Sequence, residues 1–211
     1  MELIDAIMER HTVWHYEPRS VERPKLLDIL EAARWAPSGG NTQPWDFIIV
    51  TEPALKKEMR KLVKLAHRRW MTEAAIVPQP EEEIEKVCLG IDKYTPPEVC
   101  YINFCMTFKE YYVPERQPKP EYIRSMNYQS IGAAVQNLLL AATNNGLGTH
   151  WVGCTSLVQP EIVDLFGIPD NTEVVGTIVV GYPSKDSSVR GGVPVVRTRN
   201  PVDAFVHFDR W

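Results

Sequence analysis

"QSIGAAVQNLLLAATN", residues 129–144, is the stretch that decides the architecture. Ile131, Ala134, Val135, Leu138, Leu139 and Ala142 recur at the three-and-four spacing of a helix face. Ala133, Leu140 and Ala141 put apolar groups on the other side as well. A helix that is apolar nearly all round is buried on all sides. In a chain of 211 residues this predicts either a central helix or a helix within a dimer interface. The following "NNG" supplies the stop, because Gly accepts the left-handed conformation of a helix cap.

Working outward, shorter elements come into view on both sides. A first helix is predicted over about 2–9, with Leu3, Ile4, Ile7 and Met8 on one face. "RHTVWHYEP" then reads as extended. A second helix spans 23–36, opened by Pro24 and stopped at Pro37. A polar loop, "PSGGNTQP", leads into "WDFIIV" (45–50), a buried strand. Residues 54–71 make a basic amphipathic helix. On the far side, "LGTHWVG", a short helix near 160–166 and the strand 173–182 precede an extended, proline-marked tail.

Between these parts the composition shifts. Seven of the 17 prolines fall between Pro78 and Pro120, and six of the eight tyrosines between Tyr94 and Tyr128. The 77–128 stretch contains an acidic helical patch and the strand "EVCYINFCMTF", with too little apolar material for a core of its own. It is expected to be a variable lid or insertion within a single domain, 1–211.

Bulk properties exclude several function classes. The net charge of −4 argues against a general nucleic-acid binder. The start, "MELIDAIMER", has no apolar run of a signal peptide, and "LLLAA" is far too short to span a bilayer. A cytoplasmic protein with no membrane contact is the expectation. Cys88, Cys100, Cys105 and Cys154 lack C-x-x-C spacing, so idle thiols are expected and no metal site.

Gly146-x-Gly148 follows a helix and lacks a third glycine, which rejects a dinucleotide fingerprint. Arg197 and Arg199, one residue apart in extended chain, would share a face. With Arg10 they are either a phosphate cradle or a solvated basic tail. The loop also admits two readings. Gly39 and Gly40 let backbone approach a flat ligand, and Asn41 and Gln43 match a ring edge carrying donors and acceptors. The alternative is a plain helix-to-strand turn.

Taken together, "RHTVWHY", "APSGGNTQPWDFIIV", "AVQNLLLAATNNGLGTHWVG", "IVVGYP" and "RTRNPVDAFV" resemble the nitroreductase family of FMN-dependent oxidoreductases, in order and along almost the whole chain. The resemblance implies an α+β fold, a mixed or antiparallel sheet flanked by helices, and an intertwined homodimer with FMN at the subunit interface. It implies electron transfer from NAD(P)H through the flavin to a small acceptor such as a nitro compound, quinone or enone. A flavin-binding carrier or sensor with little turnover is the alternative.

By position, Arg10, His11 and Thr12 resemble the segment meeting the FMN phosphate and ribityl chain, and Arg197 and Arg199 the second phosphate-binding pair. Ser38, Gly39 and Asn41, supported by Pro37 and Gln43, resemble the loop that meets the flavin of the other subunit. Trp151, Val152 and Gly153 resemble the segment along the flavin ring. Gly40, Tyr111, Tyr112, Tyr122 and Tyr128 are candidate substrate contacts. Trp14 is a departure: the family usually has Arg or Lys there, beside the ring edge that gathers negative charge. Its loss is expected to lower the flavin potential, unless His15 substitutes. No catalytic side chain is assigned, because the cofactor carries the chemistry.

Overall fold

Residues 100–107 form the inner strand around which the rest is arranged. The computed structural model describes residues 1–109, 119–190, 193–194 and 197–210. Strands β1 (Trp45–Val50), β2 (Cys100–Thr107), β3 (Gly148–Val152) and β4 (Thr172–Gly181) pair in the order β1-β2-β4-β3. Every neighbouring pair is antiparallel. A parallel bridge from Thr12 to Thr149 extends the β3 edge, so the sheet is mixed there. A separate two-residue ladder joins β5 (Val189–Arg190) to β6 (Val193–Pro194).

Both faces of β2 are covered, which explains its continuous apolar run. Cys100, Ile102, Phe104 and Met106 join a core with α2 (Arg23–Arg34) and α5 (Pro120–Asn144). Tyr101 and Cys105 point the other way, into a core with α3 (Pro53–Thr72) and α6 (Gln159–Phe166). On that second face Asn103 is buried but satisfied. Its Oδ1 accepts a 2.7 Å hydrogen bond from Thr177. The 77–128 stretch therefore supplies α4 (Glu81–Tyr94), an inner strand and the first turns of α5, as well as residues that lie outside the description.

The helix α5 departs from expectation in two ways. It begins at Pro120, nine residues before the apolar run, because Pro suits a first turn and residues 120–128 are held by side-chain bonds to β4. It is also not buried on all sides. Its inner face, including Ile131, Val135 and Leu138, packs into the core, while Gly132, Leu140 and Ala141 stay half-exposed and Gln136 is open. Its end is a Schellman cap, with Gly146 at φ +70°, Leu147 N–H donating to Ala142 O and Gly146 N–H to Thr143 O.

The helix α2 stops at Arg34, two residues early. The N–H groups of Trp35 and Ala36 bond the carbonyls of Ala32 and Ala33, tightening the turn ahead of Pro37. The basic face of α3 meets acidic partners: Arg68 pairs with Glu81 and Glu85, Arg69 with Glu161, and Lys64 with Asp92. The apolar residues of α1 (Leu3–Glu9) face outward, and only Ala6 is buried. Val202, Phe205 and Phe208 are exposed as well. No described helix is long and apolar enough to cross a membrane.

Candidate functional site

The N-terminal segment runs alongside β3. Val13 N–H donates to Thr149 O at 2.9 Å, in step with the Thr12–Thr149 bridge. This approach requires Gly148. A Cβ there would lie 2.6 Å from Val13 Cγ2. Trp14 N–H donates to Ser187 O, and its indole meets the His150 ring edge-on, centroids 4.5 Å apart.

Arg10 caps α1, and Arg197 reaches back to the same helix end, donating from Nη1 to Glu9 O at 3.0 Å and Met8 O at 3.3 Å. Burial lowers the Arg10 pKa, and the charges of Arg199 and Arg197 lower it further. That mutual repulsion places the three guanidinium groups in one neighbourhood. None of the three forms an ion pair among the described residues. An unanswered cluster of cations from both ends of the chain fits an anionic group such as a phosphate.

Beside it lies a cavity of about 280 Å³ whose lining includes Glu9, His11, Val13, Gly148 and Arg197. His11 Nδ1 lies 2.9 Å from Glu9 O. Its Nε2 is buried and has no hydrogen-bond partner among the described residues. At the other end of β3, Trp151 is 42% exposed and meets Phe104 edge-on at 5.5 Å. Val152 is buried in the core, and Gly153 has open space where a Cβ would sit.

The loop at 37–43 is built differently. Gly40, Asn41 and Gln43 all have positive φ, at 57°, 55° and 48°. Gly tolerates this freely and Asn moderately, whereas Gln stores strain. Side-chain bonds hold the shape. Ser38 Oγ accepts from Gln43 N–H at 3.0 Å, and Gln43 Nε2 donates to Asn41 Oδ1 at 3.3 Å. The two amides expected to face a ring edge therefore partly bond each other. Lys109 Nζ donates to Gln43 O at 2.8 Å, and Gly39 N–H to Ser130 Oγ at 3.4 Å.

A second cavity, about 250 Å³, includes Pro37, Ser38, Gly39, Met126, Gln129 and Ser130 in its lining. The last three were not singled out in the sequence, although their 126-129-130 spacing marks one helix face. Tyr122 shares that face and is exposed. Tyr128 sits on the opposite side of α5, where its hydroxyl and Arg124 both donate to Glu173. Tyr111 and Tyr112 lie outside the described residues.

These residues form two groups. Arg10, His11, Thr12, Trp14, Trp151–Gly153, Arg197 and Arg199 gather along β3, one edge of the sheet. Residues 37–43 lead into β1, the opposite edge, three strand spacings or about 14 Å away. Along α5, Ser130 at one cavity and Thr143 at the other are 13 residues apart, a rise of about 20 Å.

The nitroreductase family model matches residues 7–182, and the chain belongs to that family. It is 27% identical over 187 residues to a putative NADH dehydrogenase/NAD(P)H nitroreductase of Archaeoglobus fulgidus, covering 88% of this chain and 87% of that protein. It is 27% identical over 201 residues to iodotyrosine deiodinase 1 of Mus musculus, covering 89% of this chain and 64% of that protein. The fold matches the NADPH:FMN oxidoreductase from Vibrio harveyi complexed with NAD+ with a TM-score of 0.71, at 18% identity, covering 99% of this chain and 77% of that one. The fold is thus nitroreductase-like and α+β.

Proposed function

We propose that the protein is a cytoplasmic FMN-dependent oxidoreductase that passes electrons from NAD(P)H to a small conjugated acceptor. The observation that carries this reading is the cluster of Arg10, Arg197 and Arg199, three mutually repelling cations beside a cavity. A phosphate there would relieve the repulsion. The names of the relatives support the same cofactor and donor.

When bound, the flavin supplies the redox chemistry. The chain's own residues hold and orient it. Arg10, Arg197 and Arg199 would take the phosphate, His11 and Thr12 the neighbouring oxygens, and the backbone of Trp151–Gly153 the ring. The loop of Ser38, Gly39 and Asn41 would form the opposite wall of a partner subunit's site, since within one chain it sits on the far edge of the sheet. An intertwined homodimer is supported by the outward apolar residues of α1 and by exposed Val202, Phe205 and Phe208. Such uncovered patches suit a second copy of the chain.

Among acceptors, nitroaromatics, quinones and enones fit a neutral cavity lined by Gly39, Met126 and Gln129. Gly40 and Tyr122 would meet the acceptor, whereas Tyr128, tied to Glu173, would not. The likeness to iodotyrosine deiodinase adds reductive dehalogenation. The test is the visible spectrum of purified protein, followed by anaerobic bleaching with NADH and with NADPH and reoxidation by each acceptor. A colourless protein that FMN cannot reconstitute refutes the proposal.

A second reading, a flavin-binding carrier or sensor with little turnover, rests on Trp14. It places an uncharged indole where a cation is the family habit, and that indole is engaged with His150. A yellow protein that neither nicotinamide bleaches favours it. The midpoint potential of Trp14→Arg separates the two further, and a value unchanged from wild type removes Trp14 from the explanation.

A further inference from the structure

A carbonyl oxygen only accepts hydrogen bonds, so the 2.9 Å contact between His11 Nδ1 and Glu9 O requires the proton on Nδ1. In a neutral imidazole the other nitrogen, Nε2, is then a bare acceptor. That atom is buried and has no partner among the described residues. His11 lines the same cavity as Arg197, next to the Arg10 cluster. Among the described residues, the charged groups that share its cavity are Glu9 from the end of α1 and Arg197 from the C-terminal segment, with Arg10 next in the chain and Arg199 near Arg10. The α5–β3 turn contributes only Thr143, Gly146, Leu147 and Gly148, and Pro183 follows β4.

A phosphate oxygen is also an acceptor. Facing a bare Nε2 it would meet lone pair against lone pair. The pair becomes a hydrogen bond only when Nε2 gains a proton and His11 becomes an imidazolium. A dianionic phosphate beside the ring favours that charge.

We infer that His11 takes up a proton from solvent as the phosphate of FMN enters the site, so that cofactor binding is coupled to protonation of this one ring. The inference rests on the FMN reading above. The uptake is one proton on Nε2, with no bond broken and nothing oxidised or reduced. FMN affinity accordingly falls as pH rises, by up to about tenfold per pH unit.

The test is titration calorimetry of the flavin-free full-length chain with FMN at about pH 8, where a phosphate monoester is already dianionic and takes up no proton of its own. Runs in PIPES and in Tris, which differ in ionisation enthalpy, give the number of protons exchanged. The expected results are close to one proton taken up by wild type, close to none by His11→Gln, and none with riboflavin, which lacks the phosphate. The pH dependence of FMN fluorescence quenching by wild type alone gives the same answer without a variant.

FMN binding with no proton uptake overturns the inference and leaves the cofactor reading standing. That outcome means Nε2 accepts from a ribityl hydroxyl instead. Equal uptake in wild type and His11→Gln also overturns it. Failure of the folded chain to bind FMN at all overturns the cofactor reading and the inference with it.

Discussion

The two edges of the sheet solve the problem of holding a ligand in opposite ways. At the β3 edge, charge is concentrated without an ion pair among the described residues, with Arg10, Arg197 and Arg199 brought together by a helix end and the C-terminal segment. At the β1 edge there is little charge. Shape is imposed by three left-handed residues and by short bonds among Ser38, Asn41 and Gln43. One edge stores electrostatic repulsion and the other stores backbone strain. Neither arrangement is favourable for an isolated chain, and each is relieved by something that arrives from outside it. The comparison teaches that a half-site is recognised by the cost it carries unpaired.

The largest expected effect breaks the charged edge. Arg10→Ala should weaken FMN binding about 10- to 100-fold, the loss of one charge-assisted hydrogen bond of about 1.5–3 kcal/mol. The melting temperature of the flavin-free variant should stay level or rise, because a repelling charge has gone. Fluorescence titration and thermal melts measure both, and an unaltered FMN affinity would remove the cradle from the account.

Next comes the fit between the edge and the segment laid against it. Gly148→Ala forces a methyl into Val13 and should cost about 1–3 kcal/mol of stability, with weaker FMN retention. Adding Val13→Ala should recover part of both losses. If the double variant is no better than the single, the close approach is not the reason for the glycine.

On the strained edge the sign reverses. Asn41→Gly relieves a left-handed residue and should stabilise the chain by about 1 kcal/mol, while FMN binding loosens a few-fold as the loop loses its preset shape. Denaturant melts and flavin off-rates distinguish this from a plain turn, for which binding would not change.

The smallest effect lies outside both halves. Tyr182 donates to Glu22 at 2.5 Å and Arg19 pairs with it, and these bonds hold the Glu22 pKa down to about 2. A depressed carboxylate stabilises the fold above its unfolded value, about 4.3, and that contribution is lost as pH falls toward 2. Glu22→Gln should flatten the melting temperature between pH 4 and 2, slightly, because the group is exposed.

Parts of this organisation were legible in the residues themselves. β1, β4, α3 and the cap at Gly146 follow from local pattern and turn chemistry, because the signals lie within a few neighbouring residues. The first nine residues of α5 were hidden because they are polar and aromatic and are fixed by Glu173, far away in the chain. The outer face of α5 is half-exposed in one chain, as the dimer-interface reading allows, because apolar residues mark what wants cover and not whether one chain supplies it. In the candidate site, the residues left the three arginines as either a phosphate cradle or a solvated tail, and only the fold shows that Arg10 lies near the other two. The division between two sheet edges could not be seen, since it depends on strand order, which places β4 between β2 and β3. His11 Nε2 and Ser130 became visible only once hydrogen-bond partners could be assigned.

The contact from Arg197 to Glu9 spans 188 positions. A ribosome releases Arg10 and His11 long before their partner exists, and β3 itself follows only after β1 and β2. Loop closure over that separation is entropically costly and comes late. The sheet and its two cores can therefore consolidate while the arginine cluster is still two loose ends. A nascent chain would be folded before it is able to take on a cofactor, and loading becomes the final quality check on a finished molecule.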